Sequence, residues 1–246
     1  MLGGTDDNDP LGPGIVVDET AQEKRGSNTT GASIQYAGCA GRTVNCTTWV
    51  AMSLILPETK TWVSNQIFLP KKTWFTGDGA TGTARRARAG VPEDIEFSSK
   101  PELARQQYQH IREIGVAFNW GGGDEVYGRY KALREDHEEH GEAYAYFVPR
   151  SHVITTMTGE RKRVDELLKL AGGRYELRSA DPGINGPRYY DWAMIEAGSP
   201  NHFLLIRKPV PAEPDGQGPP GQESAPPGAP TAPENASSPS GKSPGK

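Results

Sequence analysis

Two apolar runs in this sequence each end on an acid. Gly14-Ile15-Val16-Val17 leads into Asp18, and Val116-Ala117-Phe118-Asn119-Trp120 leads through Gly121-Gly122-Gly123 into Asp124. The first run is rich in β-branched residues and reads as a short buried strand, and the second as a strand with a glycine exit. A carboxylate at the end of a buried strand is costly unless it meets a hydrogen-bond donor or a cation. If the two strands lie side by side, Asp18 and Asp124 face one point at the end of the sheet. Their mutual repulsion is then relieved by a divalent cation. The chemistry this predicts is metal-dependent phosphoryl transfer. Glu19 and Glu125 are rivals for the same cation, but neighbours on an extended chain point to opposite sides, so one acid of each pair faces the point. Taken alone, an acid after a strand is more often a loop or capping residue.

Other residues offer binding rather than catalysis. Lys71-Lys72, the cluster Arg85, Arg86 and Arg88, and Arg161-Lys162-Arg163 supply the positive charge that DNA phosphates require. For any one cluster, an ordinary solvated surface is an equal expectation. Trp74 offers a ring for an unpaired base, with core packing the commoner fate. His110, His137, His140, His152 and His202 show no ligand spacing, and His137 and His140 are expected on an exposed acidic helix face. Cys39 and Cys46 are the only cysteines, read as two ordinary thiols in a reducing, cytoplasmic setting.

Elements must position these groups. The first third reads as an antiparallel meander: strand one to Asp18, a loop over 21–30, then strands over 32–37, 44–56 and 61–69. Pro57-Glu58-Thr59-Lys60 is the expected hairpin turn. Residues 71–99 read as loop. Ser99 is an expected N-cap, with Pro101 and Glu102 in the first turn, Ala104, Tyr108 and Ile111 on one face, and Gly115 as the stop. A second helix is expected from Tyr127 to His140, a strand over 143–148, a third helix over 161–170, irregular chain over 174–202, and a last strand over 203–206. The domain reading is a loose N-terminus (1–13), a core (14–150), a further part (151–210) and a tail (211–246). The tail holds 10 of the 21 prolines and no aromatic residue. It cannot bury enough surface to offset ordering and is expected to be disordered.

Formal net charge is −4 over 246 residues, and 35% of them are hydrophobic. Whole-chain charge therefore does not argue for nucleic acid, and any such binding rests on local patches. No apolar run reaches the length of a membrane span. The acidic start Met1-Leu2-Gly3-Gly4-Thr5-Asp6-Asp7 lacks the apolar segment of a signal peptide. Strand, antiparallel strands, helix, strand, helix, strand is the order of a ribonuclease H-like α/β fold with a mixed sheet flanked by helices, a fold-level analogy.

A set of short motifs then occurs in order: Val16-Val17-Asp18-Glu19-Thr20, Gln35-Tyr36-Ala37-Gly38, Ala40-Gly41-Arg42, Asn45-Cys46, Leu69-Pro70-Lys71, Gly90-Val91-Pro92-Glu93, Lys100-Pro101-Glu102-Leu103-Ala104, Gly123-Asp124-Glu125-Val126-Tyr127-Gly128 and Gly186-Pro187-Arg188-Tyr189-Tyr190-Asp191-Trp192-Ala193. Together they resemble bacterial insertion-sequence transposases of the DDE superfamily, close to the group named after insertion sequence seven-oh-one. The resemblance covers about residues 12–210.

It implies a ribonuclease H-like nuclease core in which two aspartates and a glutamate hold two Mg²⁺ ions, with Mn²⁺ as substitute, to cut DNA and join its ends to a target. Asp18 and Asp124 match the first two acids, as metal ligands and catalytic residues. Mg²⁺ prefers oxygen ligands and also binds phosphate oxygens, and two ions about 4 Å apart serve the attacking and leaving oxygens. The implied partners are transposon ends and target DNA, in a cytoplasmic bacterial protein away from membranes, with a second copy of the chain in a homodimer as a further implied partner. The chain departs from the family pattern in three places: no third acid, no N-terminal helical segment, and three glycines before Asp124, which are expected to loosen that strand end. The expectation is a truncated transposase domain with impaired or lost catalysis. The alternative is a non-catalytic DNA-binding or remnant protein that keeps the fold.

Overall fold

The computed structural model describes residues 11–26, 28–76, 82–170, 175–183, 186–199 and 201–210, with the backbone alone for 168–170, 179–183 and 186–188. The tail expectation (211–246) and most of the N-terminal one lie outside the described residues. The chain divides into two compact units, residues 1–154 with 161–167, and residues 155–160 with 168–246.

The first unit is built on strands β1 (Gly14–Glu23), β2 (Ser33–Ala37), β3 (Arg42–Ile55), β4 (Lys60–Phe68), β5 (Trp120–Gly123) and β6 (Ala143–Tyr146), joined in one six-stranded sheet. β3 is long enough to serve two partners along one edge. Its first half pairs with β2 and its second half with β4, while β1 runs antiparallel along the other edge. The antiparallel reading therefore holds, but the meander order does not, because β1 pairs with β3 rather than β2. β1 also continues to Glu23 through the residues expected as loop, since β3 offers a matching edge as far as Cys46. At the β3–β4 turn, Leu56 and Thr59 exchange backbone hydrogen bonds. Beyond β1 the pairing becomes parallel, β1 with β5 and β5 with β6, so the sheet is mixed.

Helices α1 (Lys71–Trp74) and α2 (Thr83–Arg88) precede α3 (Lys100–Glu113), and α4 (Glu125–Gly128) and α5 (Lys131–Glu139) follow β5. α3 starts where the sequence predicts. Ser99 accepts from the Glu102 N–H, and Glu102 returns the bond to the Ser99 N–H at 2.7 Å, a full capping box. That backbone bond and the Ser99 hydroxyl hold the Glu102 carboxyl below the usual carboxylate range. α3 ends before Gly115, whose φ of 78° few other residues tolerate. Its inner face is buried: Ala104, Tyr108 and Ile111 pack with Ile15, Val17, Val50, Met52, Tyr127 and Leu133 into one core, and Gln107 donates to the Val50 carbonyl at 3.2 Å. Each such fully buried apolar side chain contributes roughly 1.5–3 kcal/mol.

Residues 71–99, expected as loop, hold α1 and α2, and three further expectations are corrected. The helix foreseen from Tyr127 to His140 is two helices, because Tyr130 turns extended (φ −84°, ψ 101°) and caps α5, its ring packing on the core. Arg161–Arg163 is strand β8, paired with β7 (Val153–Thr155), and only Val164–Leu170 is helix, α6. In the second unit, the stretch foreseen as irregular holds β9 (Glu176–Gly183) and β10 (Gly186–Glu196), which pair antiparallel with each other and with β11 (Phe203–Pro209). Asp191 and Trp192 thus lie inside β10.

Candidate active site

The ladder between β1 and β5 pairs Ile15 with Gly121, Val16 with Gly122 and Val17 with Gly123. The next residue on each chain is an aspartate, Asp18 and Asp124. Val17 faces the core under α3, so Asp18 projects to the opposite face, where it is exposed. Asp124 still has extended backbone (φ −78°, ψ −172°) and keeps the same alternation. The two acids therefore stand side by side at the carboxyl ends of adjacent parallel strands, on the face away from α3.

Each aspartate uses one carboxylate oxygen locally. Asp18 Oδ1 accepts from the Glu19 N–H at 2.7 Å. Asp124 Oδ1 accepts from the Val126 N–H at 2.8 Å and caps α4. The second oxygen of each takes no hydrogen bond from a described residue. The rivals are already paired with cations. Glu19 lies 3.1 Å from Lys100 Nζ and accepts from the Tyr127 hydroxyl at 3.3 Å, and Glu125 lies 3.3 Å from Arg129. Tyr127 registers the local charge: burial, then Glu19, Asp124 and Asp18 together, push its phenol well above the usual range.

The glycine run is the strand itself. Strand β5 holds all three glycines, and the expected looseness is replaced by close packing. A β-carbon at Gly121 would fall 2.4 Å from His137 Cε1, and one at Gly123 would fall 2.8 Å from Val17 Cγ1. Glycine is what lets β5 sit between β1, β6 and the α5 side chains.

His137 is fully buried, contrary to the exposed helix face expected for it. Its Nδ1 lies 2.7 Å from Glu142 and its Nε2 lies 2.9 Å from the Tyr146 hydroxyl. Arg112 grips Glu142 through two nitrogens at 2.7 Å each and reaches buried Asp136 at 2.7 Å. Burial pushes the Glu142 carboxyl up, but the hydrogen bonds and charges of Arg112 and His137 outweigh it and hold it at about 2. Tyr146 donates to Tyr108 at 3.4 Å, and Tyr108 donates to the Ile15 carbonyl at 2.8 Å. This network escaped the sequence reading because its members are scattered from 108 to 146. The one available signal was Ala143-Tyr144-Ala145-Tyr146, whose alternation puts both tyrosines on one face.

The basic residues divide by role. Arg85 lies 4.5 Å over the Trp74 ring and donates to the Ala32 carbonyl at 2.7 Å. Burial, with Arg88 nearby, holds its pKa below the usual guanidinium range. Arg86 lies over Phe75 and donates to the Ile95 carbonyl at 2.9 Å. Trp74 is fully buried, so its ring packs in the protein. Lys72 and Arg88 are exposed, and Lys71 is exposed with its ammonium 5.3 Å over Phe97. Arg163 is bound to Asp165 at 2.6 Å.

Among the described residues no three His, Cys, Asp or Glu side chains are grouped to hold a metal ion. The donor set still suits a hard cation, since Mg²⁺ is often held by one or two carboxylates with water and phosphate oxygens completing the shell. No helix among the described residues is long and apolar enough to cross a membrane.

Acids at the ends of two adjacent parallel strands are placed where a hard cation and phosphate oxygens could share them. The family model described as DDE superfamily endonuclease matches residues 5–161, and the chain belongs to that family. A search of curated proteins finds no match. Two solved structures of the Aquifex aeolicus PPX-GPPA enzyme are similar at 12% and 11% identity, each covering 80% of this chain, with TM-scores of 0.21. The chain corresponds to about half of those chains, 52% and 51%, and at such scores the likeness carries no argument.

Proposed function

We propose that this chain is the catalytic domain of an insertion-sequence transposase of ribonuclease H-like fold, with Asp18 and Asp124 as ligands of Mg²⁺ at a DNA-cleaving site. The observation that carries this reading is the β1–β5 register, which sets the two aspartates next to each other. The sheet order β4-β3-β1-β5-β6, antiparallel through β1 and parallel after it, supports the fold. The pairing of Glu19 with Lys100 and of Glu125 with Arg129 supports the choice of acids. Asp18 and Asp124 would hold the divalent ions, whose chemistry there would be activation of the attacking oxygen and neutralisation of the leaving one. The chain's own part is to hold two carboxylate oxygens in place, and to bring phosphates near through Lys71, Lys72 and Arg88. Arg85 and Arg86 act instead as internal braces.

No third carboxylate joins the pair among the described residues, so weak metal binding and impaired cleavage are part of the proposal. The test is plasmid nicking in Mg²⁺ or Mn²⁺, with Mn²⁺ titrated against wild type, Asp18→Asn and Asp124→Asn. Weak Mn²⁺ binding abolished in both variants supports the site. Equal binding in all three proteins overturns it, and DNA binding without metal binding or nicking favours a non-catalytic role.

A further inference from the structure

We propose that the Tyr108 hydroxyl is a positioning group that pins β5 to β1 in the register that brings Asp124 beside Asp18. The inference rests on the reading of those acids as metal ligands, and it assigns to α3 a role beyond core packing. A strand made of Trp120, Gly121, Gly122 and Gly123 has almost no side chains to interlock with its neighbours. Register is weakly specified in glycine-rich strands, and a slip of one residue turns every following side chain to the other face. Such a slip sends Asp124 to the α3 face, away from Asp18. Something outside the strand must therefore fix it.

The Tyr108 oxygen sits on the seam. It donates to the Ile15 carbonyl of β1 at 2.8 Å and lies 3.1 Å from where a β-carbon on Gly121 of β5 would be. One atom thus sits against both strands, three residues before each aspartate. Its orientation is set from behind. Tyr146 donates to it at 3.4 Å, so its own proton is directed to Ile15. Tyr146 is held by His137, and His137 by Glu142. Trp120 fixes the start of β5, its Nε1 donating to the Gly12 carbonyl at 3.1 Å, and in the glycine run the His137 ring packs on Gly121 while the Tyr108 hydroxyl adds a polar anchor to β1. The ring of Tyr108 fills the core, and a phenylalanine fills it equally, so the hydroxyl can be tested on its own.

The experiment is Tyr108→Phe, with Ile111→Val on the same helix as a control that lowers core packing without touching the seam. Two readouts are taken: Mn²⁺ affinity, and amide hydrogen exchange at residues 121–123. Tyr108→Phe is expected to weaken Mn²⁺ binding about tenfold or more, as loss of an outer-shell partner does, and to speed exchange in the glycine run. Ile111→Val leaves both unchanged. Wild-type affinity and exchange in Tyr108→Phe, or equal losses in Ile111→Val, overturn the proposal. If Tyr108→Phe does not fold, Tyr146→Phe removes the orienting donor, together with the His137 Nε2 partner, and is read in the same way. Mn²⁺ binding that survives Asp18→Asn and Asp124→Asn defeats the metal-site reading, while exchange at 121–123 still reports on the clamp. Binding lost in those variants but kept in Tyr108→Phe defeats the clamp alone.

Discussion

The ring of His137 occupies the space that a β-carbon on Gly121 would fill, with Cε1 2.4 Å from that position. The contact joins α5 to the strand that carries Asp124. His137 is also bonded on both nitrogens, so it has no freedom to withdraw. Gly121→Ala is expected to cost about 1–3 kcal/mol, the usual range for overpacking a filled core. Urea unfolding measures it. A milder loss is expected for Gly122→Ala, where the nearest atom is 3.1 Å away.

Asp124 serves as a helix cap and as a candidate ligand, and two substitutions separate the roles. Asp124→Asn keeps an oxygen for the Val126 N–H and removes the charge. Without metal its stability is expected to stay level or rise, because repulsion from Asp18 is relieved. Asp124→Ala loses the cap as well and is expected to be about 1 kcal/mol less stable than the asparagine variant. Thermal melts with and without Mn²⁺ distinguish them, since both variants lose any metal-induced rise.

Acid should attack the first unit through Glu142. Its folded pKa, about 2, lies below the ordinary carboxyl value, so its contribution is complete above that value and is lost as pH falls from about 4.5. Melts taken from pH 6 down to pH 2 are expected to show this loss. Glu142→Gln leaves Arg112 and His137 without their shared acceptor, should cost about 3 kcal/mol at pH 7, and should flatten the acid slope.

The arginines predict opposite behaviours. Arg88→Ala and Lys72→Ala are expected to leave the melting temperature in place, weaken DNA binding and reduce the salt slope by about one each. Arg85→Ala removes the cover of Trp74 and the bond to the Ala32 carbonyl, so it should lower the melting temperature. Filter binding across a salt series, set against melting curves, checks both.

Sequence alone determined the local signals. The capping box at Ser99 and Glu102, the stop at Gly115 and the β3–β4 turn are decided within a few residues, by hydrogen bonds and backbone freedom that local composition specifies. It also marked Asp18 and Asp124, because an acid after an apolar run is visible without a fold. Tertiary structure decided the rest. The β1–β3 pairing depends on which edge is available, which no local pattern states. The glycines before Asp124 read as looseness until the neighbours that need their space are known. His137 read as exposed because helix charge pattern cannot see Glu142 and Tyr146, which come from the next turn and strand to bury it. That Glu19 and Glu125 are already paired, with Lys100 and Arg129, also depends on distances that only the folded chain fixes.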